Sequence, residues 1–329
     1  MQIDLKVSLI VPIHGDAIYL LETLESIKYI AFDSFEVIFV FDRASENVQL
    51  LVKKFCENMK NARFIFANGF GISNALNSGI AVSCSEFIAR LDADDIILPN
   101  RIEKQYSFLV ENPQFVLVGT QMTLFKSVGK ESIRITTYPV HNSAIKSVLR
   151  MKNCIGHPTV MFRKSIFYSA GQYRSYFNGA EDFDLWIRMS NLGKFKNLNE
   201  NLTLYRISET QYSKSFIATP GVLEEAVLLS SSGIFGGLEP NYTLITDINR
   251  IIDNNNVIMN TLSMDNRRVF KYFKSLKLLY SIQSQISRGD LGFFPNLFKA
   301  FIFSPRMAVN YLTFEFKTLI LGKIQNVRN

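Results

Sequence analysis

Cysteine, histidine and tryptophan are scarce in this chain of 329 residues, at three, three and one. Cys56, Cys84 and Cys154 form neither a CxxC pair nor an even disulfide framework, which implies buried thiols in a reducing compartment. His14, His141 and His157 are too scattered for a histidine-rich zinc site, so acid–base work falls to carboxylates. The turn after the first apolar run reads Pro12-Ile13-His14-Gly15-Asp16, without GxGxxG spacing, and no Walker A sequence occurs. A dinucleotide-binding Rossmann domain and a P-loop ATPase are thereby disfavoured. No apolar run approaches the roughly 18 residues of a membrane span; residues 291–321 come nearest, but Pro295, Lys299, Pro305, Arg306, Glu315 and Lys317 break them up. Met1-Gln2-Ile3-Asp4 carries an acid where a secretion signal needs positive charge, so none is expected.

The charge that is present is unevenly placed. The net is +7, yet residues 267–329 carry 11 Lys and Arg against Asp290 and Glu315, a balance of +9, which leaves −2 for the rest. That basic segment is also rich in Phe, Leu and Ile, the composition of a surface that lies on anionic lipid. No DNA or RNA module accompanies the charge, and no nucleic acid partner is expected.

The first hundred residues alternate β-rich runs with helical periodicity, the pattern of a sheet covered by helices. Strands are expected at 7–11, 35–41, 64–66 and 87–91. Leu20, Leu21, Leu24 and Ile27 mark one face of a helix, and Ser45 is placed to cap a helix carrying Val48, Leu51, Val52 and Phe55. Small residues form a helix over 72–82. Further on, 101–110 reads as helix, 115–118 and 120–125 as strands, 152–158 as a loop before strand-like 159–162, and Glu181-Asp182-Phe183-Asp184-Leu185-Trp186 opens another helix. Residues 207–221 have linker composition. The expected organisation is a main domain over 1–215 and a helical, basic amphipathic region over 216–329.

Arg90-Leu91-Asp92-Ala93-Asp94-Asp95 closes the fourth strand. In open α/β sheets, ligands bind beyond such strand ends. Carboxylates two residues apart there can face one pocket and repel each other unless a cation sits between them. A hard divalent ion, Mg²⁺ or Mn²⁺, that keeps positions free for diphosphate oxygens fits Asp92 and Asp94. A bare DxD also occurs in solvated acidic turns and helix caps.

Taken together, 7–14, Glu36 to Asp42, 75–80, 87–95, His157-Pro158-Thr159-Val160, 171–174 and 181–186 resemble, in order, the family-2 glycosyltransferases of GT-A fold, over about residues 5 to 215. The resemblance implies an α/β fold with a mixed, mostly parallel sheet. It further implies that Pro12 and His14 hold the nucleotide, that Asp42 bonds a uracil-type base, that Asp92 lies near ribose and sugar, and that Asp94 is the principal metal ligand. Asp182 of the Glu181-Asp182 pair corresponds to the general base of inverting enzymes, with Trp186 on the acceptor side. His157 is open to a contact with diphosphate or acceptor, or to a structural hydrogen bond. Chemistry agrees: an acceptor hydroxyl is a weak nucleophile and needs a carboxylate within reach to take its proton.

Two departures stand out. The family often has Asp-Asp-Gly-Ser where this chain has Phe41-Asp42-Arg43-Ala44, and Tyr-Arg-x-His where it has Tyr205-Arg206-Ile207-Ser208. Histidine ligation of the metal from that block is therefore ruled out. QxxRW and membrane spans, both found in processive synthases, are lacking too. The expectation is an inverting, metal-dependent, single-addition transferase. It uses a UDP-sugar and a lipid-linked saccharide acceptor at the inner face of the cell membrane. A sugar nucleotidyltransferase and a non-catalytic nucleotide-sugar binder are the rival readings.

Overall fold

The computed structural model describes residues 5–126, 132–149 and 152–207; the expected boundary at 215 and the basic region 216–329 lie outside the described residues. Strands β1 (Val7–Gly15), β2 (Phe35–Ala44), β3 (Ala62–Phe66) and β4 (Phe87–Arg90) alternate with helices α1 (Leu20–Lys28), α2 (Glu46–Asn58) and α3 (Ile72–Val82). After β5 (Ile96–Ile97) come α4 (Arg101–Glu111), β6 (Phe115–Lys126), β7 (Ser132–Ile135), α5 (Asn142–Leu149), β8 (Met161–Arg163), α6 (Lys164–Ser169), α7 (Glu181–Ser190) and β9 (Lys194–Ile207).

These strands make one mixed sheet in the order β3-β2-β1-β4-β8-β6-β9-β5, with β7 paired to β6. The ladders of β1 with β2 and β4, of β2 with β3 and of β6 with β9 are parallel, while β8 joins the two halves through antiparallel pairing to β4 and β6. β1 and β2 are largely apolar because both faces of the sheet are covered there; Leu9, Ile10, Val11, Val37, Ile38, Phe39 and Val40 are fully buried, and the buried Ser8 hydroxyl donates to Glu36 at 2.6 Å. β1 lies between β2 and β4, so the chain leaves it first to one side and later to the other. That reversal opens a crevice at the carboxyl ends.

Helix packing refines the expectations. α1 buries Leu20, Leu24 and Ile27, but Leu21 is 64% exposed, since one residue along a helix turns the side chain about 100° away. α2 starts after Ser45 as expected, yet the Ser45 hydroxyl makes no capping bond; its carbonyl accepts from the Gln49 N–H at 2.9 Å. α3 coincides with the expected 72–82. It crosses β1 and β2 at Gly79, where a Cβ would come within 2.7 Å of Ile10 and 2.8 Å of Val40. The two strands expected at 115–118 and 120–125 are one continuous β6. β9, the longest strand described, was not anticipated. Its inward residues include Asn197, Thr203 and Arg206, all fully buried, and these polar side chains mask the hydrophobic alternation on which strand recognition rests.

Candidate active site

A cleft of about 820 Å³ opens at the carboxyl ends of β1, β2 and β4. Pro12, His14, Asp42, Asp92 and Asp94 line it, as do His157, Glu181 and Asp182. Eight of the nine residues expected at the site therefore share one cavity. The ninth, Trp186, does not: it is fully buried, with its ring 5.8 Å from that of His157 and 6.1 Å from that of Phe162. This corrects the acceptor-side placement of Trp186. Its indole packs behind the cleft wall, and its Nε1 has no hydrogen-bond partner.

At the ends of β1 and β2, main-chain geometry does most of the positioning. His14 Nδ1 donates to the Asp42 carbonyl at 2.8 Å, tying the ends of β1 and β2 together where their register slips after His14. Asp42 is buried; its Oδ2 accepts from the Gly71 N–H at 2.9 Å and its Oδ1 from Arg43 Nε at 3.2 Å. Arg43 adopts φ +54°, the left-handed conformation that glycine tolerates most readily, which accounts for the glycine common at this position in the family that the sequence resembles. The Arg43 guanidinium lies over the exposed Phe70 ring, 5.2 Å from its centroid.

The acid cluster is held from two directions. Arg90, buried at the end of β4, forks onto Asp92, with NH1 at 2.5 Å from Oδ2 and NH2 paired to Oδ1. Arg206 of β9 is fully buried; its backbone N–H donates to Asp95 Oδ1 at 2.9 Å and its Nε to the Asp94 carbonyl at 2.8 Å. The Arg206 guanidinium is sandwiched between the Tyr19 and Phe125 rings, at 4.2 and 4.6 Å, and reaches Glu22 at 3.2 Å. Oxygens of Asp92, Asp94 and Asp95 lie within 4.8 Å of one another. Burial, then repulsion from Asp92, pushes the Asp94 carboxyl up to about 6 and Asp95 well above its ordinary range. Asp95 Oδ2 is buried without a hydrogen-bond partner.

On the other side a polar network spans the loop 152–158, the segment before α7, and α7 itself. Asp182 Oδ2 accepts from Asn153 Nδ2 at 2.7 Å and its Oδ1 from the Phe183 N–H at 2.7 Å. Glu181 is more deeply buried, accepts from the Gly179 N–H at 2.5 Å and stands 3.6 Å from His157 Nδ1. His157 Nε2 lies 2.9 Å from the Tyr173 hydroxyl. Burial, reinforced by the Arg90 charge, lowers His157 to about 3, and burial raises Tyr173 well above 10. The ring is therefore neutral and the phenol keeps its proton. Tyr173 accordingly donates to Nε2, which leaves the Nδ1–H facing Glu181. Burial also raises Glu181 and Asp182, and the Glu181 charge adds to the rise at Asp182. A carboxylate with elevated proton affinity at a cleft wall is suited to accept a proton.

Arg90, Asn153, Tyr138 and Arg206 were not foreseen as site residues. Arg90 stood in the quoted motif without a role, and a charged residue at a buried strand end was the available signal; Tyr138, a cleft residue from irregular chain, offered none.

Comparison with known proteins gives the family and the fold. The family model "Glycosyl transferase family 2" matches residues 8–170. The O-antigen biosynthesis glycosyltransferase WbnJ of Escherichia coli is 34% identical over 217 residues, which cover 64% of this chain and 84% of WbnJ. The chain belongs to glycosyl transferase family 2. Among solved structures, S. aureus TarS 1-349 in complex with UDP-GlcNAc superposes with a TM-score of 0.58 at 17% identity, covering 83% of this glycosyltransferase and 80% of that chain. The mannosyltransferase PcManGT from Pyrobaculum calidifontis, in complex with GDP-Man and Mn2+, superposes with a TM-score of 0.53 at 14% identity, covering 95% and 87%. At these identities the likeness shows the fold, and the fold is GT-A as the sequence implied. Membership of a glycosyltransferase family sets aside the nucleotidyltransferase reading. No helix among the described residues of the glycosyltransferase is long and apolar enough to cross a membrane.

Proposed function

We propose that this glycosyltransferase moves a single hexose or N-acetylhexosamine from a UDP-sugar to a saccharide acceptor, with inversion and with the help of a divalent cation. The observation that carries the reading is the presence of the Asp94 cluster and Asp182 on one cleft. Asp182 takes the proton of the acceptor hydroxyl as its oxygen attacks the anomeric carbon. The bond from that carbon to the diphosphate breaks, its electron pair leaving on the phosphate oxygen. Attack from the face opposite the leaving group inverts the centre, giving a β-linked product from an α-linked donor. Asp42, Pro12 and His14 seat the nucleotide. Asp92, its oxygens forked by Arg90, is an oriented acceptor for sugar or ribose hydroxyls.

The residues present fit a cation. Asp94 is raised by burial and by Asp92, and Asp95 carries an orphaned buried oxygen, so positive charge here relieves a standing penalty. Asp94 is the ligand this reading favours, with Asp92 beside it. Mn²⁺ or Mg²⁺, when bound, neutralises charge on the departing diphosphate. The solved PcManGT complex with Mn2+ supports the metal, and the TarS complex with UDP-GlcNAc supports a UDP donor. The name of WbnJ supports a place in O-antigen biosynthesis; a lipid-linked acceptor at the inner membrane face completes the proposed reading. Peripheral contact with anionic lipid rests on the basic, aromatic composition of 267–329.

Release of nucleoside diphosphate across a panel of UDP-, GDP- and dTDP-sugars, with Mn²⁺ or with EDTA, tests this. Turnover of a UDP-sugar that EDTA abolishes is expected, and metal-independent turnover would refute the cation. A deletion of 267–329 is expected to release the protein from anionic vesicles. In Asp182→Asn, retained donor binding with turnover reduced about 10²- to 10⁴-fold is expected; unaltered turnover would point to another base.

A further inference from the structure

We propose that Asn153 is a positioning residue for the general base, its carboxamide holding the Asp182 carboxylate in a single orientation at the cleft wall. The inference rests on the reading of Asp182 given above. Asn153 Nδ2 donates to Asp182 Oδ2 at 2.7 Å, while Asn153 Oδ1 accepts from the Ile155 N–H at 3.2 Å. The second bond fixes the amide: reversed, its oxygen would oppose a carboxylate and its NH₂ would oppose an N–H. The other carboxylate oxygen is held by the Phe183 N–H at the start of α7. Both oxygens are thus pinned, one by the helix's own backbone and one by a side chain 29 residues earlier, and both residues line the cleft.

The surroundings make that donor consequential. Glu181 on the same helix opposes ionisation of Asp182. His157, from the turn beside β8, is an uncharged ring at neutral pH and supplies no full positive charge. Tyr138 and Tyr173 face the carboxylate as phenols that burial keeps protonated. Lys152, next to Asn153 in the loop, is exposed to solvent. After any charge on His157, the ionised base is favoured by hydrogen bonds from the Phe183 N–H and the Asn153 carboxamide, and of these two donors Asn153 is the one a substitution removes.

The test uses the full chain as wild type, Asp182→Asn, Asn153→Ala and the double variant, with isosteric Asn153→Asp guarding against a folding defect in the alanine protein. Thermal unfolding needs no substrate. At pH 8, Asp182→Asn should raise Tm by about 3 °C more in the Asn153→Ala background than in the wild type. As pH is lowered until the carboxyl is protonated, that excess should vanish. With the donor identified by the panel, the acid limb of kcat/KM should move to higher pH by about half a unit in Asn153→Ala and by about one unit or more in Asn153→Asp, with affinity for UDP unchanged. Additive Tm changes at both pH values together with an unshifted limb overturn the inference. If Asp182→Asn keeps wild-type turnover, the reading of Asp182 as base fails instead. If Asp182→Asn is inactive while the Asn153 variants keep the wild-type profile, only the role of Asn153 fails.

Discussion

The two halves of the cleft are built on different principles. The half built on β1, β2 and β4 sits on parallel strands whose ends set Pro12, His14 and Asp42 in place, with the acid cluster braced by Arg90 and Arg206. The half around α7 has no such frame: His157, Asn153, Glu181 and Asp182 come from a loop and one helix start, and they are fixed by hydrogen bonds of buried side chains. A site fixed by strands tolerates change in its side chains. A site fixed by a polar network depends on every member, because a buried group that loses its partner bears the whole desolvation penalty.

That contrast can be broken by experiment. The largest expected effect is a split between the halves. Asp94→Asn should abolish the rise in Tm that Mn²⁺ with UDP produces, whereas Asp182→Asn should leave that rise intact. Equal loss in both variants, seen by differential scanning fluorimetry, would erase the distinction. Next comes Arg206→Met, which keeps bulk and the backbone N–H to Asp95 but takes the guanidinium from Glu22 and from the Asp94 carbonyl. It should cost about 3–5 kcal/mol of unfolding free energy in urea titrations, as broken buried pairs do.

Smaller still is Trp186→Phe. If the indole is core and not an acceptor platform, stability should fall by about 2 kcal/mol while the acceptor KM stays unchanged; a raised KM with intact stability would return Trp186 to the cleft. The mildest effect is on pH dependence. Asp94 binds its proton more tightly in the folded chain than in the unfolded one. The metal-free protein should therefore lose stability as pH rises from about 4 through 6, and Asp94→Asn should flatten that slope in Tm against pH.

The same division governs what could be read in the sequence. β1, β2 and β4 are buried on both faces, so they announce themselves as apolar runs, and the acids that follow them are visible at once. α3 was legible to its last residue because small residues continue over its whole length. β9 was not, since Asn197, Thr203 and Arg206 are buried and their side chains hydrogen-bond to chain far away in sequence. Asn153 was invisible for the same reason: an asparagine in a loop gains meaning only when α7 brings Asp182 to within 2.7 Å of it. Trp186 misled because helical setting does not tell which way a ring points.

The close crossing at Gly79 has a reach beyond its own neighbourhood. The bare α-carbon lets α3 settle against Ile10 and Val40, and the residue just before that helix, Gly71, is the one whose N–H donates to Asp42. Helix height above the sheet and the position of the Asp42 carboxylate are thus mechanically linked. One methyl group added at position 79 would act as a wedge, loosening the floor of the donor pocket from two helical turns away.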